Sequence, residues 1–138
     1  MKKSLNKTQV LNAYAPPIIW AGLIFFLSAQ STLPGASYPL LDYIFKQSAH
    51  VFVYAVLHFL IWRAIKITTS SPHNKIKILI IPIILSAAYA FSDELHQSFI
   101  PGRKATLVDI GFDSIGIIIS HYLTHRQKQI HSDTLLNW

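Results

Sequence analysis

The chain has 138 residues, a net charge of +6, 51% hydrophobic residues and only 13% charged ones. A soluble domain carries about 25% charged residues, so the composition removes most of the solvated surface a soluble fold needs, and the length suits one domain rather than two. The Lys and Arg residues lie between apolar segments instead of forming one patch, which argues against nucleic acid as a partner, and the lack of Cys removes disulfides, thiolate chemistry and cysteine metal ligands.

The first apolar stretch spans residues 13–29, within a segment that has no charged residue between Lys7 and Asp42. That is long enough for a membrane span of roughly 20 residues. Lys2 and Lys3 before it, and Ser28-Ala29-Gln30 near its end, also fit a cleaved signal peptide. Three more apolar stretches follow, and the reading taken is an uncleaved first helix. Residues 31–43, with Pro34, Gly35 and Pro39, read as a loop. The second stretch, 48–62, lies between Lys46 and Arg63, and residues 68–74 form the next loop. The third, 78–92, contains Pro82, which removes a backbone hydrogen bond and predicts a kink. Pro101-Gly102 is a turn signal, and the fourth stretch, 105–123, carries Asp109 and Asp113.

The predicted fold is therefore all-α, an integral membrane bundle of four transmembrane helices whose first partner is the lipid bilayer. A polar arm (1–12) precedes the helical domain (13–124), and a polar, loosely ordered tail (125–138) follows it. A soluble four-helix bundle is the alternative, because the last three stretches are short for a span. The all-round apolarity of residues 78–85 and 115–119 argues against it, since a soluble helix needs a wet face. Lys2, Lys3 and Lys7, then Arg63, Lys66, Lys75 and Lys77 mark the cytoplasmic side against a first loop without a basic residue before Lys46. Arg126 and Lys128 of the tail are matched by Arg103 and Lys104 of the third loop. Both termini are then cytoplasmic in a multi-pass protein of the cell membrane, and the first and third loops face outward.

The polar residues within the spans follow a pattern. Lys46, His50, Tyr54 and His58 recur every four residues, on one face of the second helix. Ser86, Tyr89, Asp93 and either His96 or Gln97 share a face of the third, provided the helix continues past Asp93. Asp109 and Asp113 are four apart on the fourth, followed by Gly116 and Ser120. Antiparallel threading brings all three stripes to the outward end. Asp93, Glu94, Asp109 and Asp113 are four of the chain's six acids, and His50, His96, Lys46 and Arg103 fall in the same layer. Ionisable groups in a bilayer cost about 2.5–3.5 kcal/mol on insertion scales and mark function or internal pairing. The structural alternative is that Lys46 and Arg103 neutralise two of the carboxylates or meet lipid phosphates, and that the layer only holds the bundle together. Taken singly, Lys46 reads as a snorkelling anchor, His58 as a helix contact, Tyr43 and Trp62 as interfacial belt residues, with Trp20 deeper, and His73, His125 and His131 as solvated.

The run Asp93-Glu94-Leu95-His96-Gln97-Ser98-Phe99-Ile100-Pro101-Gly102-Arg103, with Asp109 and Gly116 after it, resembles the signature of the VanZ-like family. Lys46, His50 and Tyr54, and the segment Leu27-Ser28-Ala29-Gln30-Ser31, are similar to it as well, so the resemblance covers residues 14–123. Two positions depart from the pattern: Phe45 stands where an acid often precedes the lysine, and Asp113 where Asn is common. The extra acid alters protonation or metal preference, or else needs Lys46 or Arg103 as a partner. The resemblance implies a small bacterial membrane protein, and the family's named member is associated with resistance to the glycopeptide teicoplanin.

Three functional readings follow. In the first, the layer binds or modifies an envelope molecule, such as a lipid head group, a cell-wall precursor or a glycopeptide. Asp93 or Glu94 then acts as base, His50 or His96 as proton shuttle, and Lys46 and Arg103 hold an anionic group, with Tyr54, Gln97, Asp109 and Asp113 completing the contacts. No nucleophile stands out, so binder and enzyme both stay open. In the second, Asp93 and His96, with His50, Glu94 and Asp109, supply carboxylate and imidazole ligands. Without a His-Glu-x-x-His pattern, the sequence assigns no metal ligand and no cofactor. In the third, the intramembrane Asp and His groups serve proton-coupled or small-solute transport, or sensing, which four short helices would support best as an oligomer.

Overall fold

The structure is a computed structural model that describes residues 6–31, 38–69, 75–103 and 106–135, the last with side chains through Arg126. The described residues form four α-helices and no strand: α1 (Lys7–Ser28), α2 (Pro39–Thr68), α3 (Lys75–Gln97) and α4 (Leu107–Leu135). All four are long and apolar enough to cross a bilayer. The predicted loop residues Pro34 and Gly35, and 70–74 with His73, lie outside the described residues.

Each helix exceeds the apolar stretch that announced it, for a local reason. Asn6 caps α1: its side chain accepts the Gln9 N–H at 2.8 Å while the Gln9 side chain accepts the Asn6 N–H at 3.1 Å. The helix therefore starts in the polar arm, and Pro16 and Pro17 fall inside it. Pro39, expected in a loop, opens α2 as its first residue, where its missing N–H costs nothing. Lys46 and Arg63, expected to bound the second span, lie within α2 because long basic side chains reach toward the interface without ending a helix. α3 runs through Pro82 and past Asp93 to Gln97. α4 continues beyond residue 124 because neither Gly nor Pro follows Leu123, so residues 125–135 of the expected loose tail are helical.

The surface decides between membrane and soluble bundles. Ile18 (68% exposed), Phe26 (62%) and Ile118 (65%) are turned outward, together with most of the large apolar residues. The fully buried side chains include Tyr54, His58, Ser86 and Asp113. A bundle with polar groups inside and apolar ones outside matches lipid, not water.

Helices α1 and α2 run antiparallel, with the Tyr14 hydroxyl 3.0 Å from that of Thr68 and the Trp20 indole N–H donating to the Val53 carbonyl at 2.9 Å. α2 and α4 run parallel and pack most closely, joined at Gln47–Asp109, His50–Asp113 and His58–Ser120. The Tyr89 hydroxyl donates to the Ala21 carbonyl at 2.6 Å, tying α3 to α1. A small core of Ile24, Tyr54, Leu57, Ala90 and Ile117 fills the centre. Trp20 is thus a helix-to-helix strut, and Trp62 is buried beneath the Lys66 ammonium, 4.5 Å from its ring, rather than facing lipid. Trp20→Phe removes one such bond while keeping the ring's bulk. It is expected to cost about 0.5–1.5 kcal/mol, read as a lower unfolding midpoint in detergent.

Candidate functional site

The end of α1, the first half of α2, the end of α3 and the start of α4 meet at one end of the bundle. Two turns shape this end. Thr106 stands just before α4: its hydroxyl accepts the Asp109 N–H at 3.2 Å and donates to Asp109 Oδ2 at 2.9 Å, in the manner of a helix cap. After α3 the chain reverses at Pro101-Gly102, where Gly102 has φ 84° and the Arg103 N–H reaches the Ile100 carbonyl at 3.1 Å. Pro followed by a positive-φ Gly is the chemistry of a type II turn. This turn returns Arg103 to α1, where its guanidinium donates to the Leu27 and Ser28 carbonyls at 3.2 and 3.4 Å.

Asp113 is fully buried, and His50 Nδ1 lies 2.9 Å from its Oδ1. Asp93 Oδ2 accepts from the Tyr54 hydroxyl at 3.2 Å and from Gln97 Nε2 at 3.0 Å. Glu94 Oε2 accepts the Thr106 N–H at 3.1 Å. Asp109 Oδ1 accepts from Gln47 Nε2 at 2.9 Å. Every one of the four acids is therefore engaged on one oxygen or both. Asp93 Oδ1, Glu94 Oε1 and Asp113 Oδ2 nevertheless remain buried with no hydrogen-bond partner. One ring nitrogen of His50 and one oxygen each from Glu94 and Asp109 lie within 4.8 Å of one another, close enough to hold a metal ion.

A cavity of about 100 Å³ opens beside this cluster. Ile24, Leu27 and Val53 give it apolar walls, and Lys46, Arg103, His50, Tyr54, Asp93 and Gln97 supply its polar side.

The described geometry decides two points that the sequence left open. Neither Lys46 nor Arg103 pairs with any of the four carboxylates; the partner of Asp113 is His50, which shares the α2 face that packs on α4. Arg103 is instead drawn to the carbonyls that α1 leaves open at its end. Of His96 and Gln97, it is Gln97 that joins Asp93. One residue of helix rotation turns His96 onto Phe25 of α1, with ring centroids 4.5 Å apart, away from the carboxylates. Lys46, His50, Tyr54, Asp93, Gln97 and Arg103 do come together around the cavity, and Glu94, Asp109 and Asp113 stand behind His50. Two contributors were not anticipated. Gln47 was legible as a polar residue three before His50, hence on the same face. Thr106 carried the weaker signal of a Thr three residues before an acid.

A model of the VanZ/LLP1 family matches residues 13–128. The chain belongs to the VanZ/LLP1 family. No curated protein and no solved structure matches it. In this VanZ/LLP1 protein, many of the residues that carried the resemblance build the site: Lys46, His50 and Tyr54 from α2, Asp93, Glu94, Gln97 and Arg103 from α3 and its turn, and Asp109 from α4. Ser28, within the motif at the end of α1, lines the same cavity. A second polar seam, His58 with Ser120 at 3.0 Å, lies further along α2 and α4 and is a helix contact, as expected.

Proposed function

We propose that this VanZ/LLP1 protein binds the anionic head group of an envelope molecule, a lipid or a lipid-linked cell-wall precursor, in the cavity between α1, α2 and α3. The observation that carries this reading is the cavity's lining: apolar walls beside two cations, Lys46 and Arg103, that no carboxylate neutralises among the described residues. An amphiphile presents the matching pair of surfaces, an acyl or isoprenyl stem and a phosphate, and guanidinium and ammonium groups are the usual phosphate donors. The charge distribution along the chain supports placing this end of the bundle on the outer face. Should the ligand be turned over, Asp93 and His50 are the proton-handling groups on the cavity wall, whereas Glu94 lies outside its lining. Any role in tolerance of teicoplanin-type glycopeptides would run through the same ligand.

Titration of the detergent-purified chain with a polyisoprenyl diphosphate and with phosphatidylglycerol, followed by native mass spectrometry, tests the reading. Lys46→Ala is expected to weaken retention of these anionic lipids roughly tenfold, the scale of one lost charge-assisted hydrogen bond, and to leave phosphatidylcholine unaffected. Equal retention of anionic and zwitterionic lipid by the unaltered protein would remove the basis for the proposal. Intact cells carrying Ser98→Cys or Ser70→Cys in this cysteine-free chain address the side of the membrane. An impermeant thiol reagent is expected to label the first variant and not the second.

A further inference from the structure

The geometry points to a divalent transition-metal site of the Zn²⁺ or Mn²⁺ class, held by His50, Glu94 and Asp109. One donor atom from each lies within 4.8 Å of the others. Ligands about 2.0–2.2 Å from an ion sit somewhat closer together than that, so the ion draws the three side chains inward by a small movement. The donors come from α2, α3 and α4, and one ion would therefore join three helices.

Two further features set this group apart from a chance gathering of acids. The first is Glu94, which is 4% exposed and has Oε1 buried without a partner while Oε2 is fixed by the Thr106 N–H. A buried carboxylate oxygen left without a donor is costly, and a cation is the partner that satisfies it. The second is Asp113. Its Oδ1 lies 2.9 Å from His50 Nδ1, and an ionised carboxylate there accepts the Nδ1 proton and leaves the imidazole lone pair on Nε2. A carboxylate behind the histidine is the arrangement by which metal-ligating imidazoles are oriented. Gln47 and Thr106 hold the Asp109 oxygens in the same way, at 2.9 Å each, and leave each oxygen a second lone pair. Two carboxylates and a neutral imidazole balance a doubly charged ion. One imidazole with two carboxylates suits Zn²⁺ or Mn²⁺, and three protein ligands leave a position open for a further one. His50 also borders the cavity, so the open position adjoins the space assigned above to an anionic head group. The ion's binding itself does not depend on that assignment.

The test uses the full chain purified in detergent, stripped with chelator, and titrated with Zn²⁺, Mn²⁺, Mg²⁺ and Ca²⁺ with no lipid added. Calorimetry and elemental analysis after desalting are expected to show one Zn²⁺ or Mn²⁺ per chain. Glu94→Gln, which keeps the side chain's shape, is expected to weaken that affinity by at least tenfold, and Asp113→Asn, behind the ligand, by about 10–100-fold. His96→Ala, whose ring stacks on Phe25 instead, is expected to bind as the unaltered protein does. Asp109→Asn is read in place of Glu94→Gln if size exclusion shows the latter aggregated. Substoichiometric uptake by the unaltered protein, or unchanged affinity in the folded ligand variant, overturns the site. Because no lipid is present, that result would leave the head-group reading standing, and loss of lipid retention alone would leave the metal site standing.

Discussion

Alanine at Gly116 is expected to destabilise the bundle by about 1–3 kcal/mol, the range for forcing one extra carbon into a packed interior. A Cβ at this position would run into the Val51 carbonyl oxygen of α2, and would also lie 3.0 Å from the Val51 carbonyl carbon and 3.1 Å from the Ala55 nitrogen. These are backbone atoms of a helix, so they have no rotamer through which to retreat, and α2 and α4 must separate. The glycine matters here because of the close approach of two helices, the arrangement that small residues permit in membranes. Gly111, on the same helix, has no atom within 4 Å of its Cβ direction. Alanine there is expected to be neutral, or to stabilise by up to about 1 kcal/mol through helix propensity. Unfolding in mixed detergent, followed by circular dichroism, compares the two variants. Equal midpoints for Gly116→Ala and Gly111→Ala would contradict the close packing. Separation of α2 from α4 would also pull His50 from Asp113, so Gly116→Ala is expected to reduce metal affinity without touching a ligand.

Asp113→Ala is expected to cost about 1–3 kcal/mol, the scale for leaving a buried hydrogen-bond donor without its acceptor. Asp113 is completely buried and His50 nearly so, with 15% of its side chain exposed. Alanine leaves the His50 Nδ1–H without an acceptor between two helices. Asp113→Asn retains a carbonyl oxygen for the same N–H and is expected to cost less than about 1.5 kcal/mol. A double-mutant cycle with His50→Ala isolates the pair from effects of each residue alone. A coupling near zero would show that the two side chains do not depend on each other, against the 2.9 Å contact.

The four helices were legible in the sequence because a bilayer demands long apolar segments with internally satisfied backbones, and few other structures provide them. Their ends were not, because a charge inside a helix and a charge outside it look alike when long side chains can reach the interface. Lys46 shows this most clearly: read as a border, it lies seven residues inside α2. The four-residue spacing of Lys46, His50, Tyr54 and His58 correctly placed them on one face, since helical period is a local property. The same reasoning left His96 and Gln97 undecided, because neighbouring positions differ by about 100° of rotation and only the packing partner selects between them. Phe25 took the one and Asp93 the other.

By itself, the sequence determined the membrane class, the helix count, the family and the end of the bundle at which the charged residues gather. Composition, apolar length and period are properties of a chain before it folds, and each constrains the others. Only the tertiary structure decided the pairings: Asp113 with His50 rather than with Lys46 or Arg103, Arg103 with the end of α1, and Glu94 with one oxygen buried and free and with one oxygen near His50 and Asp109. The physical reason is distance. In a low-dielectric interior, hydrogen bonds and charges act over a few ångströms, and which groups come within that reach depends on how closely α2 and α4 approach at Gly116.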